Sequence, residues 1–150
     1  MTFHTILAAV PGVATAIGVA IAAWQLRMSR KLAQLSFEDS LNKEYRSLAK
    51  DIPVNALIGE DINEHPEFSE VRECIYNYVD LCNEQIFLRK KGRITESTWR
   101  EWAVGMQMNL NKPTFRRVWS EIKGALPQEF QELRKAEETH FKLDPRMWKR

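Results

Sequence analysis

The residue types with chemical potential are few and scattered along the chain. Asp80 and Glu84 stand four apart, a spacing that puts two carboxylates on one side of a helix, where they could hold a metal or divide the roles of acid and base. No histidine lies near them in sequence, and the same spacing is common on exposed helix faces, so a solvated or salt-bridged surface is the leading reading. Of the three histidines, His4 precedes a long apolar stretch, while His65 and His140 fall in expected loops, which leaves a histidine-based mechanism little to work with. Cys74 and Cys82 would be separated by about 12 Å along one helix, too far for a disulfide, and no CxxC or Cys/His spacing points to zinc. Trp99, Trp102 and Trp119, with Arg100, Arg116 and Arg117 beside them, offer rings on which bases could stack. They recur at helical spacing with other apolar residues, however, which marks them as core bulk. No glycine-rich loop precedes a helix to hold phosphate. The sequence therefore assigns no catalytic, cofactor-binding or metal-ligating residue.

Among the elements, the first is the most distinctive. Ile6 to Leu26 is a run of 21 residues without a charge, followed at once by Arg27, Arg30 and Lys31. At about 1.5 Å of rise per residue it would form roughly 30 Å of helix, the hydrocarbon thickness of a bilayer. Eight Ile, Leu or Val residues favour insertion, seven alanines are close to neutral, and Pro11, Thr15 and Gln25 oppose it. A cleaved signal peptide competes through Ala20-Ile21-Ala22, but no basic segment precedes the run; a buried soluble helix is the third reading. With the cations after the span, the positive-inside rule places the N-terminus outside and the C-terminal domain in the cytoplasm of a single-pass inner-membrane protein, with Trp24, Arg27, Arg30 and Lys31 at the interface with membrane lipid. Small residues at four-residue spacing, Gly12, Ala16 and Ala20 on one face and Ala14, Gly18 and Ala22 on another, provide a possible self-association surface. Ten of the 21 residues are Gly, Ala or Thr, so such matches also arise by chance.

Net charge is +2, from 22 basic and 20 acidic residues, which selects no partner class. Its distribution is uneven: residues 27–50 carry +3, residues 51–88 carry −8, and residues 89–150 carry +7. Pairing of the acidic middle with the basic third inside one fold is the leading reading, and contact of the basic third with anionic lipid is the other.

The expected organisation is all-α: an N-terminal transmembrane helix (1–26), a juxtamembrane helix (27–50) stopped by Pro53, a connector (51–66) and a small cytoplasmic helical bundle (67–150). Met28, Leu32 and Leu35, then Leu41, Tyr45 and Leu48, recur at three- and four-residue spacing, so the later half of the first helix is expected to dock on the domain. In the connector, Ile52, Val54, Leu57 and Ile58 are expected to tuck onto the core. A central helix from about Pro66 to Lys91 carries Phe68, Val71, Ile75, Tyr78, Val79, Cys82 and Ile86 on one face, widened by Cys74, Leu81, Gln85 and Leu88; Tyr76 and Phe87 point elsewhere. Arg89-Lys90-Lys91 suit its C-terminal dipole and Gly92 ends it. Thr95 is the expected cap of a helix burying Trp99, Trp102, Ala103, Met106 and Leu110. Asn111-Lys112-Pro113 breaks it before a helix with Phe115, Val118, Trp119, Ile122 and Leu126, and Pro127 opens a last helix with Phe130, Leu133 and Phe141.

Tyr78-Val79-Asp80-Leu81-Cys82-Asn83-Glu84, then Gly92-Arg93-Ile94-Thr95, Trp99 with Trp102, Phe115 to Trp119 and Phe130 to Arg134 together resemble short bacterial membrane-anchored proteins of unknown function. The resemblance covers about residues 70–135. It implies an inner-membrane setting and a helical fold, and it supplies no activity. Three function classes follow: a membrane-tethered interaction or regulatory module that docks a protein partner or a second copy, a membrane effector acting by self-assembly of the span and binding of anionic lipid, and, third, an enzyme. Nucleic-acid binding ranks below these, since no helix carries a one-sided basic stripe apart from the buried aromatics.

Overall fold

The computed structural model describes residues 3–62, 66 and 68–148, with side chains from Thr15 onward. All regular structure among them is helical: α1 (Phe3–Lys50), α2 (Val54–Ile58), α3 (Phe68–Lys90), α4 (Glu96–Leu110), α5 (Pro113–Ala125), α6 (Gln131–Glu138) and a closing 3-10 turn, Pro145–Met147. The chain forms two compact units, Met1–Phe37 and Glu38–Arg150.

Among the described residues the first unit is helix alone. Ile17, Val19, Ile21, Trp24 and Leu26 are exposed on it, and so are Met28, Leu32 and Leu35, while Phe37 at its end is half-buried. Among the described residues no helix is long and apolar enough to cross a membrane. Of the uncharged run, Ile6 to Ala14, including Gly12, lie outside the described side chains; His65 also lies outside the described residues.

The second unit is organised around α3, which packs against α4, α5, α6 and the closing turn. Val71, Ile75, Tyr78, Val79, Leu81, Cys82, Ile86 and Leu88 are buried on it, the continuous apolar stripe expected of a helix surrounded by others. Trp119, Phe115 and Val118 of α5 and Leu133 of α6 fill the space opposite them. Tyr76 and Phe87 are partly exposed; Tyr76 meets Phe130 edge to face at 5.7 Å. The last stretch of α1 belongs to this unit and contributes the buried Glu38 and Leu41.

Caps and turns set the boundaries. At Gly92 φ is +73°, and the paired bonds from Gly92 N–H to Arg89 C=O and Arg93 N–H to Leu88 C=O close α3 as a Schellman turn. Asn111 to Pro113 breaks the chain as expected, with Pro113 at the first position of α5. The last helix departs from expectation. It starts at Gln131, not at Pro127, because Phe130 takes a left-handed conformation (φ 56°) and turns its ring onto Trp119 at 6.0 Å. Burial of a large ring stabilises a backbone conformation that a phenylalanine rarely adopts. Phe141 is buried, but it lies beyond α6 and is again left-handed. In the connector, Ile52 is buried while Val54 and Ile58 are exposed; Ala56 and Ile62 take the core positions, since the short α2 turns that side toward α5.

Charge pairing also departs from expectation. Lys90–Glu132 (2.7 Å), Lys123–Glu137 (2.9 Å) and Arg89–Asp144 all join residues of the basic third, and Arg72 of the acidic stretch meets Glu121 at 3.1 Å. Glu70, Glu73, Asp80 and Glu84 make no ion pair among the described residues. The basic third carries carboxylates of its own within reach, so these pairs form without drawing on Glu70, Glu73, Asp80 or Glu84.

Candidate functional site

Within the second unit, α3 and α4 together with the end of α1 line a half-open cavity of about 230 Å³. Asn42 and Tyr45 line it from α1, Tyr78 and Gln85 from α3, and Glu101, Trp102, Gly105, Met106 and Asn109 from α4. Periodicity accounts for the convergence. Asn42 and Tyr45 are three apart, Tyr78 and Gln85 seven apart, and Trp102, Met106 and Asn109 follow at four and three, so each helix turns one side to the same space.

Most polar groups around the cavity are already engaged. The Trp102 indole N–H donates to Asn42 Oδ1 at 2.9 Å. Asn109 Nδ2 donates to the Tyr78 hydroxyl at 3.2 Å, and the Lys112 ammonium donates to Asn109 Oδ1 at 2.6 Å. The Tyr78 hydroxyl is also hydrogen-bonded to the Cys82 sulfur. Burial raises the Tyr78 phenol well above its usual range, with Cys82 acting in the same direction and Asn109 in the other. Burial likewise pushes the Cys82 thiol up to about 12, against the pull of the Tyr78 hydrogen bond, so both stay neutral and inert at ordinary pH. Lys112 is shifted down by burial.

Gln85 is different. It is 5% exposed, it lines the cavity, and its side-chain amide has no hydrogen-bond partner among the described residues. Glu101, at the exposed rim, makes no ion pair among the described residues. No lysine or arginine lines the space. Chemically the cavity therefore offers aromatic rings, the Gln85 amide, the Tyr45 hydroxyl, the Asn42 Nδ2 donor and one carboxylate.

Two other polar clusters serve the fold. The Glu38 carboxylate accepts the Thr95 N–H at 2.5 Å and the Thr98 hydroxyl at 2.6 Å, while the Thr95 hydroxyl accepts the Thr98 N–H at 3.4 Å. An anion at that helix start meets otherwise unpaired N–H groups and the positive end of the dipole. Arg89, 4% exposed, grips Asp144 with two donors and gives a third, at 2.7 Å, to the Ile94 carbonyl. Burial works against ionisation of Asp144, but the hydrogen bonds from Arg89 and from the Arg146 N–H, with their charges, hold its carboxyl below the usual value.

The residues singled out from the sequence lie elsewhere. Trp24, Arg27, Arg30 and Lys31 are exposed on α1, with Trp24, Arg27 and Lys31 succeeding one another along one side of it. Ala16, Gly18 and Ala20 are exposed, and a Cβ added at Gly18 would meet nothing within 4 Å. Trp99 and Trp119 are core, as their spacing predicts, whereas Trp102 is half-buried against the cavity. Gln85 was legible only as a polar residue widening an apolar stripe. Nothing local marks Glu38, whose partners lie 57 and 60 residues away. No protein-family model, curated protein or solved structure matches the chain.

Proposed function

We propose that this chain is a membrane-tethered helical module, anchored by Ile6–Leu26 as a single inner-membrane span of a bacterial cell, whose cytoplasmic helices dock a protein partner or a second copy and carry no catalysis of their own. One observation supports the reading above the others. Ile17, Ile21 and Trp24 on one side of α1, and Val19 and Leu26 on the opposite side, are all 50% exposed or more, in a stretch whose first charge is Arg27. A helix apolar on all sides has no face to give to water and requires an apolar surrounding. Arg27, Arg30 and Lys31 then fit the headgroup layer on the positive side, with Trp24 at its edge.

Extraction of membranes with alkaline carbonate tests the anchor. The full chain is expected in the pellet and to float with vesicles, and its release into the supernatant overturns the anchor. Crosslinking in intact membranes tests the docking role, where a chain that crosslinks to nothing counts against it.

The effector reading draws on the openness of Ala16, Gly18 and Ala20, which would let a second helix approach closely. Replacing Gly12, Ala16 and Gly18 by leucine should then shift the oligomeric state in bilayers; an unchanged state removes it.

A further inference from the structure

The cavity between α1, α3 and α4 has a lining that selects by charge. Its volume, about 230 Å³, is below the range of drug-sized sites and suits a small solute. An anion would find no lysine or arginine in the lining: the nearby Lys112 ammonium is committed to Asn109 Oδ1 at 2.6 Å and lies over the Phe115 ring at 5.8 Å. A purely apolar guest would leave the Gln85 amide buried and unpaired, the most costly state for such a group. A cation meets the opposite conditions. Tyr45, Tyr78 and Trp102 supply electron-rich rings, and the indole N–H of Trp102 is tied to Asn42, so what that residue adds to the cavity is ring surface. Glu101 places a carboxylate without an ion-pair partner among the described residues at the rim.

We propose that this cavity binds a small hydroxyl-bearing alkylammonium ion, its cationic head among the rings of Tyr45, Tyr78 and Trp102 near Glu101 and its hydroxyl on the Gln85 amide. The inference stands apart from the membrane anchor, since every residue it uses lies in Glu38–Arg150. A free solute fits better than a phosphate-linked headgroup, whose anionic group would have no cation to meet in the lining.

Calorimetric titration of the full chain in nonionic detergent, with choline as the probe, tests it. The controls are 3,3-dimethylbutan-1-ol, which has the same shape without charge, 3,3-dimethylbutanoate and phosphocholine. Choline should bind one to one with a Kd on the order of 1 mM or tighter, as expected for so small a ligand. The neutral alcohol should bind about 5- to 30-fold more weakly, the range a desolvated cation–π contact supplies. The two phosphate- or carboxylate-bearing compounds should not bind. Equal affinity for choline and the alcohol overturns the charge selectivity. Preference for phosphocholine overturns the free-solute assignment, and no saturation with choline overturns the site.

Two variants keep the test independent of folding. Gly105 lies at the exposed rim, where an added Cβ meets nothing within 4 Å, so Gly105→Leu should block the mouth in a normally folded chain and abolish choline binding. Gln85→Leu should weaken choline about tenfold or more, by loss of the hydroxyl's partner, while the empty protein keeps a Tm no lower than that of wild type, since the amide makes no hydrogen bond that the substitution would break. Choline binding unchanged in either variant would place the ligand elsewhere.

Discussion

One turn of α3 separates Gln85 from Arg89, and the fold treats the two oppositely. Both are buried polar side chains on the inward side of one helix. Around Arg89 every neighbour answers it: Asp144 takes two donors and the Ile94 carbonyl a third. Around Gln85 the lining groups pair with one another, Asn42 Oδ1 with Trp102 and Asn109 with Tyr78 and Lys112, and the amide faces the cavity. A polar group that is satisfied inside the protein fixes the protein's own geometry, whereas one left unsatisfied is available to something that is not part of the chain.

The strongest way to break the contrast is at its satisfied end. Arg89→Ala leaves the Asp144 carboxylate and the Ile94 carbonyl without their donors, and should cost about 3–5 kcal/mol, measured by denaturant unfolding at neutral pH. The double substitution Arg89→Met with Asp144→Leu should recover much of that loss, because replacing both members removes the uncompensated charge. If Arg89→Ala costs under about 1 kcal/mol, the pair is a surface pair in effect and the contrast fails.

Next in size is Glu38. Its carboxylate accepts from Thr95 and Thr98 at the start of α4, the helix that carries five of the cavity's lining residues. Glu38→Ala should cost about 2–3 kcal/mol, from the loss of charge-assisted bonds to a buried acceptor. Glu38→Gln, which keeps one acceptor oxygen, should cost less. Because α4 holds Trp102 and Glu101, hydrogen exchange should speed up first in the Thr95–Trp99 turn; uniform acceleration across the unit would show that the cap supports the whole fold equally.

These partnerships mark the limit of what the sequence reveals. The stripe on α3 is legible because burial on one helix repeats every three or four residues, and Gly92 and Thr95 are legible because their roles are local. Arg89 reads as one of three cations suiting a helix end, since its acceptors are 5 and 55 residues away. Trp102 reads as core because its spacing matches that of Trp99 and Met106; only the three-dimensional placement of Asn42 and Tyr45 opposite it leaves a space there. The start of α6 at Gln131 has no sequence signature, because a left-handed phenylalanine is set by the rings around it and not by a local rule.

Acid sharpens the comparison further. The folded-state pKa of Asp144 lies below its ordinary value of 3.8, so its contribution is fully present above that value and is lost as pH falls through the lower, folded-state one. Wild type should therefore keep its advantage over Asp144→Asn down to about pH 4 and lose it progressively in more acidic solution. Gln85 has no such titration, so the gap between wild type and Gln85→Leu should stay flat over the same range. Melting curves of the three proteins from pH 7 to 2 check both statements; a gap to Asp144→Asn that does not narrow below pH 4 refutes the assigned direction.

The smallest expected effect is at the open end. Gly105 is exposed within α4, and the position an added Cβ would occupy touches nothing within 4 Å. Glycine in a helix interior costs about 0.5–1 kcal/mol relative to alanine through backbone entropy. Gly105→Ala should therefore stabilise the protein by that amount, with no compensating clash. A methyl group is too small to close the mouth, so ligand affinity should stay within about twofold of wild type, whereas Gly105→Leu, with the same helical preference, should lose it. The pair of variants separates backbone stiffening from occlusion at one residue. If alanine alone abolishes binding, the rim works by flexing rather than by being open, and the emptiness beside Gln85 would depend on that motion.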